Sequence, residues 1–330
     1  MKKGLVLGKF MPLHKGHTGL INFACNHCDQ LYILVCYTDK EPIPGDIRVQ
    51  WLQHVYGDAP NTRIIPFQYD ESALPNTSVS SEPVAARWAK QLSNLFPDVS
   101  IIFTSEPYGA FLAAHMNISH IAYDPERNQF PFSATDIRTA PLQHWNNIPE
   151  IVQPYFVKKI GLLGSESTGK SMLTARLAAH FNTVYVPEMA RDIVSQTTIC
   201  RPEHLKEIAQ LHASTILSTM PKAHKLMFID TDINITKSYS RFLFNQELEV
   251  EDWIEQANRI DTCFFLETDC EFIQDVTRLT EDERNRLSCF HRQQLDKEGI
   301  HYIPVHGNWE ERFATMADHI TKHYFSNDHA

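Results

Sequence analysis

The chain has 330 residues, of which 43 % are hydrophobic, and this is enough for two packed domains. Its formal charge of −10 argues against broad, sequence-independent nucleic-acid binding, which needs a positive surface. No apolar run is long enough to span a bilayer, and the N-terminal apolar stretch is too short for a secretory signal. Together with seven scattered cysteines, this predicts reduced thiols, no membrane insertion and a cytoplasmic location.

Short apolar runs alternate with helical stretches along the first half of the chain. The predicted strands are Leu5–Phe10, Leu31–Tyr37, Thr62–Phe67 and Ser100–Thr104, and the predicted helices are Gly16–Cys28, Gly45–Tyr56 and Glu82–Leu95. The polar stretch 69–83 is predicted to be a mobile loop near a site. The alternation predicts an α/β domain, with helices on both faces of a parallel sheet.

The segment GKFMPLHKGH joins the first predicted strand to the first predicted helix. Its histidines are three residues apart at the start of that helix, so both side chains can converge on one phosphate. Hydrogen-bond donors at this place stabilise the charge on an α-phosphate while pyrophosphate leaves. A lone histidine pair is usually incidental, but here glycine, phenylalanine and proline match the spacing as well. The predicted ATP-binding residues are Gly8, Lys9, Phe10, His14 and His17, with the two histidines catalytic.

The segment FSATDIR opens a second short helix far along the chain. Hydroxyl and N–H groups at such a terminus suit a triphosphate, and Arg138 is predicted to contact its β- or γ-oxygens. Ser133 and Thr135 are the matching hydroxyl residues. Alone the segment is weak evidence, because serine and threonine are ordinary helix caps.

The stretch 139–156 contains three prolines and has no clear hydrophobic periodicity. This predicts a domain boundary that separates residues 1–156 from 157–330. A second α/β alternation follows. Its predicted strands are Lys159–Leu163, Thr183–Val186, Lys225–Ile229, Thr262–Leu266 and Ile300–Pro304, and its long predicted helices are 202–219, 232–245 and 280–298.

The segment GSESTGKS follows the first of these strands and precedes a helix, which is the context of a phosphate-binding P-loop. Glycines let the backbone curl, so that N–H groups point at phosphate oxygens. Lys170 is predicted to reach the β- and γ-phosphates, and Ser171 to ligate Mg²⁺. The predicted ATP-binding residues are Gly164, Ser165, Glu166, Ser167, Thr168, Gly169, Lys170 and Ser171.

Carboxylates after two later strands complete the predicted kinase site. Asp230 is predicted to bind the metal, and Asp232 to cap the following helix. Glu188 or Asp192 is predicted to act as the base or to bind a substrate hydroxyl, with Arg191 holding charge nearby. The alternative for these acidic residues is a solvated first helical turn, where carboxylates are favoured in any case.

The arginine-rich stretch 271–287 resembles a lid. Arg278 is predicted to close over the phosphates, whereas Arg284 and Arg286 are interpreted as helix-surface charges.

The two N-terminal motifs resemble those of nicotinamide mononucleotide adenylyltransferases of the HIGH superfamily. Joined to a downstream P-loop domain, they resemble the bifunctional NadR-type enzymes over nearly the whole chain. The resemblance extends to Thr104–Pro107, Phe228–Asp232, Arg48 with Trp51, and Glu188 with Arg191. It implies a Rossmann-like nucleotidyltransferase followed by a P-loop ribosylnicotinamide kinase, both using ATP and Mg²⁺.

The resemblance also implies that nicotinamide riboside is phosphorylated to the mononucleotide, which then receives an adenylyl group to give NAD. Trp88 would stack on the nicotinamide ring; the alternative is a half-buried helix tryptophan. The family's D-G-x-R lid pattern lacks its glycine here, where Val276 replaces it. Some members carry an N-terminal helix-turn-helix; the chain starts just before its first strand, so we expect no DNA binding.

Other interpretations stay open at this point. The runner-up is a phosphopantetheine adenylyltransferase joined to a dephospho-CoA kinase, and a third is a sensor that binds nucleotides without turnover. The C-x-x-C of Cys25 and Cys28 has no second cysteine pair, so helix thiols are favoured over zinc or redox function. A homo-oligomer is left open.

Overall fold

The computed structural model describes residues 1–76, 81–194, 200–270 and 279–326. The chain divides into two compact units, Met1–Gln153 and Pro154–Ala330. The first unit contains, in chain order, β1 (Lys3–Gly8), α1 (Lys15–Cys25), β2 (Gln30–Tyr37), α2 (Gly45–Tyr56), β3 (Thr62–Gln68), α3 (Glu82–Leu95), β4 (Ile101–Thr104), α4 (Tyr108–Met116), β5 (Ser119–Ala122) and α5 (Ala134–Thr139).

The second unit repeats the α/β plan. It contains β6 (Lys158–Leu163), α6 (Lys170–His180), β7 (Val184–Val186), α7 (Ala190–Ile193), α8 (Pro202–Thr219), β8 (Leu226–Asp230), α9 (Ile233–Phe244), α10 (Asp252–Ala257), β9 (Thr262–Leu266), α11 (Glu281–Lys297), β10 (Tyr302–Val305) and α12 (Trp309–Phe325). Within the described residues, none of the helices is both long and apolar enough to cross a membrane.

Each unit is built on a parallel sheet of five strands, in the orders β3-β2-β1-β4-β5 and β10-β9-β6-β8-β7. Successive strand residues point to opposite faces, so a strand covered on both sides is apolar throughout. In β6, Leu162 packs with Leu177 and Ile320 on one face, and Leu163 packs with Ile235 and Leu295 on the other. The predicted fold class, two three-layer α/β domains, is therefore confirmed.

Helix α1 begins at a histidine cap and ends earlier than predicted. The Nδ1 atom of His14 accepts hydrogen bonds from the N–H groups of Gly16 (3.1 Å) and His17 (3.4 Å), two of the groups that a helix start leaves unpaired. The helix ends at Cys25 rather than Cys28. The cause is β2, because the N–H of Asp29 already donates to the carbonyl of Lys2 at 2.8 Å.

Arg312 ties three loops of the second unit together from inside the protein. Its fully buried guanidinium donates to the carbonyl oxygens of Gly307 (2.7 Å), Thr168 (3.0 Å) and Glu267 (2.9 Å), and it pairs with the carboxylate of Asp269. Thr168 belongs to the predicted phosphate loop. Arg312 therefore holds that loop to the two segments beside it.

Replacing this side chain should destabilise the second unit. We expect Arg312→Met to lower the free energy of unfolding by about 3 kcal/mol, because three carbonyl groups lose a charged donor and cannot be solvated. Urea unfolding with peptide-resolved hydrogen exchange would measure the loss. Arg286→Met, at an exposed position on α11, is the matched control and should change stability by less than about 0.5 kcal/mol. Equal effects of the two substitutions would contradict this role of Arg312.

Two candidate nucleotide sites

A cavity of about 520 Å³ opens in the first unit beside the carboxyl ends of β1 and β4. This is where the strand order reverses, the usual ligand position in such sheets. The predicted site residues that line it are Gly8, Lys9, Phe10, His14, His17, Trp88, Ser133 and Thr135. The two N-terminal motifs and Trp88, which are distant in the sequence, thus share one cavity.

The two histidines of the first motif lie against each other at the start of α1. Their ring centroids are 3.7 Å apart, and Phe10 meets the ring of His17 edge-on at 5.0 Å. Burial lowers the pKa of His14 to about 4, and burial and the neighbouring His14 lower the pKa of His17 as well. Both rings are therefore neutral near pH 7. Because Nδ1 of His14 accepts hydrogen bonds, its proton resides on Nε2, which is free to donate.

The second motif is tied to the first by Arg138. Its guanidinium donates to the carbonyl of Met11 and to the hydroxyl of Thr135 at 2.9 Å. Ser133 and Asp136 form a capping box at the start of α5, with the Ser133 N–H donating to the carboxylate at 2.7 Å. Arg138 is not among the described residues that line the cavity, so its contact with phosphate oxygens stays a prediction.

Lys9 belongs to a charged network that the sequence did not indicate. Its ammonium pairs with Glu41 at 2.7 Å, and the same carboxylate pairs with Arg48 at 2.5 Å. Arg48 is buried and also donates to the carbonyl of Lys9 at 2.8 Å. Burial would raise the pKa of Glu41, but the hydrogen bonds from Lys9 and Arg48 hold it below its usual value. The network fixes the backbone and the side chain of Lys9 together.

Trp88 is half-buried and lines the cavity. Its indole N–H donates to the carbonyl of Pro75 at 3.1 Å, and Tyr69 and Phe67 meet its ring edge-on at 5.0 and 6.2 Å. Trp88 therefore supports the segment that follows β3. Stacking on a nicotinamide ring stays a prediction.

The phosphate loop of the second unit has the conformation that its glycines allow. Gly164 and Gly169 have positive φ values of 132° and 86°, where other residues are strained. A Cβ atom on Gly169 would lie 1.5 Å from the ring of Trp309. Lys170 begins α6 and donates to the Ser165 carbonyl at 2.9 Å, as does the hydroxyl of Thr168 at 2.8 Å. The ammonium thus lies within the loop where phosphate would bind.

Ser171 and Asp230 meet at the end of β8. The serine hydroxyl donates to the carboxylate at 2.5 Å, and Asp230 is fully buried. Burial raises the pKa of Asp230 to about 6; Lys170 lowers it, and the negative charge of Glu188 raises it further. Asp232 caps α9 as predicted, accepting from the N–H of Ile235 at 3.0 Å.

The two carboxylates predicted as alternatives for the kinase base, Glu188 and Asp192, lie in different surroundings. Glu188 is half-buried and close enough to Asp230 to influence its pKa, whereas Asp192 is exposed in α7. Arg191 lies in α7, and its side chain is outside the described residues. Glu188 thus acts electrostatically on the predicted metal ligand, and the choice of base between the two stays a prediction.

Glu166 does not point away from the protein as a free loop residue would. Its carboxylate accepts hydrogen bonds from the Tyr239 hydroxyl at 3.2 Å and the Leu279 N–H at 3.3 Å. It therefore connects the phosphate loop to α9 and to the segment before α11, and its contact with ATP stays a prediction. Ser167 lies on this loop at φ 60°.

The interpretation of Arg284 as a surface charge is wrong. Its side chain is buried, and it donates to the Thr268 carbonyl at 3.3 Å. The Ser165 hydroxyl in turn donates to the Arg284 carbonyl at 3.4 Å, because the first turn of α11 packs against the phosphate loop. Arg286 is exposed, as expected. The predicted lid residue Arg278 and the neighbouring Val276 lie outside the described residues.

The raised pKa of Asp230 has a consequence for stability. Its usual value is 3.8, so the folded protein binds this proton more tightly than the unfolded chain does, and stability falls as the pH rises from 3.8 to about 6. We expect Asp230→Asn to raise the free energy of unfolding by about 1–3 kcal/mol at pH 8, and by about half as much at pH 5. Urea unfolding without nucleotide would measure both. Asp296→Asn, at an exposed position, should show no such pH dependence; a larger gain at pH 5 would contradict the expectation.

Comparison with known proteins agrees with this geometry. A family model described as an AAA domain matches residues 159–312. The trifunctional NAD biosynthesis/regulator protein NadR of Salmonella typhimurium is 32 % identical over 297 residues, which is 83 % of this chain and 71 % of that protein. The NadR of Escherichia coli is 29 % identical over 335 residues, 94 % of this chain and 80 % of that protein.

Solved structures agree on the fold. A crystal structure of NadR protein in complex with NR has a TM-score of 0.77 at 22 % identity, and covers 98 % of this chain and 96 % of its own. Fold and sites together define a two-domain, nucleotide-dependent transferase. On the strength of the Salmonella relative, the chain belongs to the NadR family.

Proposed function

We propose that the chain is a bifunctional enzyme of NAD salvage. Residues 157–330 would phosphorylate nicotinamide riboside at its 5′-hydroxyl with ATP. Residues 1–156 would then transfer the adenylyl group of a second ATP to the mononucleotide, giving NAD and pyrophosphate. The observation that carries the proposal is that each unit has its own phosphate-binding motif at the carboxyl end of its sheet, in a member of the NadR family.

Phosphoryl transfer in the second unit needs a positioned γ-phosphate and an acceptor for the hydroxyl proton. Lys170 would exchange the Ser165 carbonyl for phosphate oxygens. Glu188, at the end of β7, would accept the proton of the 5′-hydroxyl. Asp192 would bind a hydroxyl group of the riboside, and Arg191 would hold a positive charge beside it. Arg278 would close over the phosphates.

The residues present fit a magnesium ion. Mg²⁺ prefers oxygen ligands, and the Ser171 hydroxyl and the buried Asp230 carboxylate already lie 2.5 Å apart. The raised pKa of Asp230 reflects a buried carboxylate without enough positive charge nearby. Bound there, the ion would neutralise charge on the β- and γ-phosphates.

Adenylyl transfer in the first unit needs donors at the α-phosphate rather than a covalent intermediate. His14 and His17, both neutral, would donate to α-phosphate oxygens while the mononucleotide phosphate attacks. Ser133, Thr135 and Lys9 would bind the rest of the triphosphate, and Trp88 the nicotinamide ring.

Incubation of the purified protein with nicotinamide riboside and excess MgATP tests the proposal. Chromatography should show the mononucleotide first, then NAD together with pyrophosphate. Turnover of dephospho-CoA with nicotinamide riboside inert would favour a coenzyme A enzyme instead. ATP binding without any product would favour a sensor.

A further inference from the structure

Adenylyl transfer brings two phosphate-bearing molecules into one cavity, yet the described lining offers little positive charge. Its fixed cations are Lys9 and Arg127, and Lys9 is already paired with Glu41 at 2.7 Å. Both histidines are neutral at pH 7 because burial lowers their pKa values. Arg138 donates to protein oxygens. Arg127 is therefore the other charged side chain of the described lining that could bind a phosphate, and it belongs to neither motif.

Arg127 lies at the tip of a closed turn between β5 and α5, residues 123–132, here called the β5–α5 loop. The N–H of Arg127 donates to the Asp124 carbonyl at 2.9 Å, and Arg127 has a positive φ of 55°. The Asp124 carboxylate accepts hydrogen bonds from the N–H groups of Gln129 (3.2 Å) and Phe130 (3.1 Å). The backbone of the turn is thus fixed on both sides of the arginine.

The β5–α5 loop packs against α1 at two glycines, whose lack of side chains leaves room for it. Gly16 and Gly19 are three residues apart and so share one helix face. A Cβ on Gly19 would lie 2.7 Å from the Tyr123 hydroxyl and 2.8 Å from the Phe130 ring; one on Gly16 would lie 3.5 Å from the Phe130 Cβ. The loop therefore packs directly over the helix start that carries the catalytic histidines. The charge of Arg127 reaches them, since it contributes to lowering the pKa of both His14 and His17.

The partner of Arg127 is one that a phosphate can replace. The guanidinium pairs with Glu106 at 3.1 Å, and both side chains are about half exposed, 45 % and 53 %. Such surface pairs contribute little free energy, whereas guanidinium–phosphate hydrogen bonds are strong and often bidentate. Glu106 also lines the cavity, so the exchange needs no rearrangement of the backbone.

We propose that Arg127 is a phosphate-binding residue of the adenylyl-transfer site, paired with Glu106 until a substrate phosphate takes the carboxylate's place. The inference rests on the proposed function of the first unit. The phosphate could belong to ATP or to the mononucleotide, and the two are separated by the kinetics below.

Steady-state kinetics of NAD formation provide the test. Arg127→Gln should raise the KM for the substrate whose phosphate it binds by about 10- to 100-fold, with a smaller effect on the other substrate. Varying ATP and then the mononucleotide identifies which. Arg127→Lys should recover part of the loss, and Glu106→Gln should lower the same KM. Arg63→Gln, at an exposed position of β3, is the charge-matched control. Peptide-resolved hydrogen exchange over Met1–Gln153 reports that the first unit of each variant is folded.

Unchanged KM values for both substrates in Arg127→Gln would overturn the inference and leave the proposed function intact. If the unmodified protein makes no NAD, equilibrium dialysis of ATP replaces kinetics. In a Lys170→Ala background, which weakens ATP binding to the second unit, a two-site fit gives the affinity of the first unit, and Arg127→Gln should then weaken that affinity about tenfold or more. Equal ATP affinity with and without Arg127, together with equal mononucleotide affinity, would reject the assignment even for an inactive protein.

Discussion

Replacing Lys170 with alanine should reduce phosphorylation of nicotinamide riboside by at least about 10²–10³-fold and leave adenylyl transfer unchanged. The Lys170 ammonium is buried and held 2.9 Å from the Ser165 carbonyl, inside the loop that receives the β- and γ-phosphates. A backbone cradle alone can bind a triphosphate, but it cannot supply a full positive charge where negative charge develops. Coupled measurement of mononucleotide formation, and separately of NAD formation from supplied mononucleotide, checks both halves of the expectation.

Lys222→Ala, at an exposed position of the same unit, is the matched control and should affect neither reaction. Loss of both reactions in Lys170→Ala, with thermal unfolding unchanged, would contradict independent sites. Lys170→Arg separates charge from geometry. If charge alone were sufficient, arginine would restore the rate; we expect it not to, because the loop closes around a slender ammonium and has no room for a planar guanidinium.

The fold was largely predictable because buried parallel strands are apolar over their whole length. Leu31–Tyr37 and Thr262–Leu266 are continuous apolar runs, and both are strands. Helix α4, strand β5 and helix α12 were not predicted, and for the first two the signal in the sequence is weak. Strand β5 is a short edge strand with half-exposed residues and no alternation, and α4 contains Gly109, a poor helix former.

The site was predictable where the chemistry is local in sequence. His14 with His17, and Lys170 with Ser171, lie within single strand–loop–helix segments whose spacing fixes the geometry. Tyr69 and Arg127, which line the cavity, and Glu41, which pairs with Lys9, come from other loops, and their positions depend on the sheet order rather than on any local pattern. For this reason no signal in the sequence identified them.

For Arg284, a local pattern in the sequence led to a wrong prediction of exposure. Arg284 lies in a run of charged residues, EDERNR, that is typical of a solvated helix face. The first turn of α11 is nevertheless held against the phosphate loop by the hydrogen bond from Ser165. Tertiary packing, not composition, decides which arginine of such a run is buried.

One chain needs two triphosphate sites because the two reactions attack different phosphorus atoms. A kinase must present the γ-phosphate to its acceptor, and a P-loop does so by enclosing the β- and γ-phosphates. An adenylyltransferase must leave the α-phosphate open and let pyrophosphate depart. The buried ammonium of Lys170 and the neutral, stacked imidazoles of His14 and His17 suit these opposite demands.

His17→Ala should reduce NAD formation from the mononucleotide by about 10²–10³-fold while phosphorylation of nicotinamide riboside continues. His17 is stacked on His14 at 3.7 Å in the cavity, and its lowered pKa keeps it neutral; its ring N–H, which donates to the Pro12 carbonyl, would move to a phosphate oxygen. Its effect should therefore appear in kcat more than in KM, since a neutral imidazole adds little to the binding of ATP. Assay of both reactions over a range of ATP concentrations measures the split.

His27→Ala is the matched control, because His27 follows the same helix and is exposed to solvent. It should leave both reactions unchanged. His17→Asn offers a side-chain N–H of similar reach, so partial recovery of kcat would identify hydrogen-bond donation as the role of the ring. A loss confined to the KM for ATP would instead mean that His17 binds the ground state and the transition state equally, and does not contribute to the chemical step.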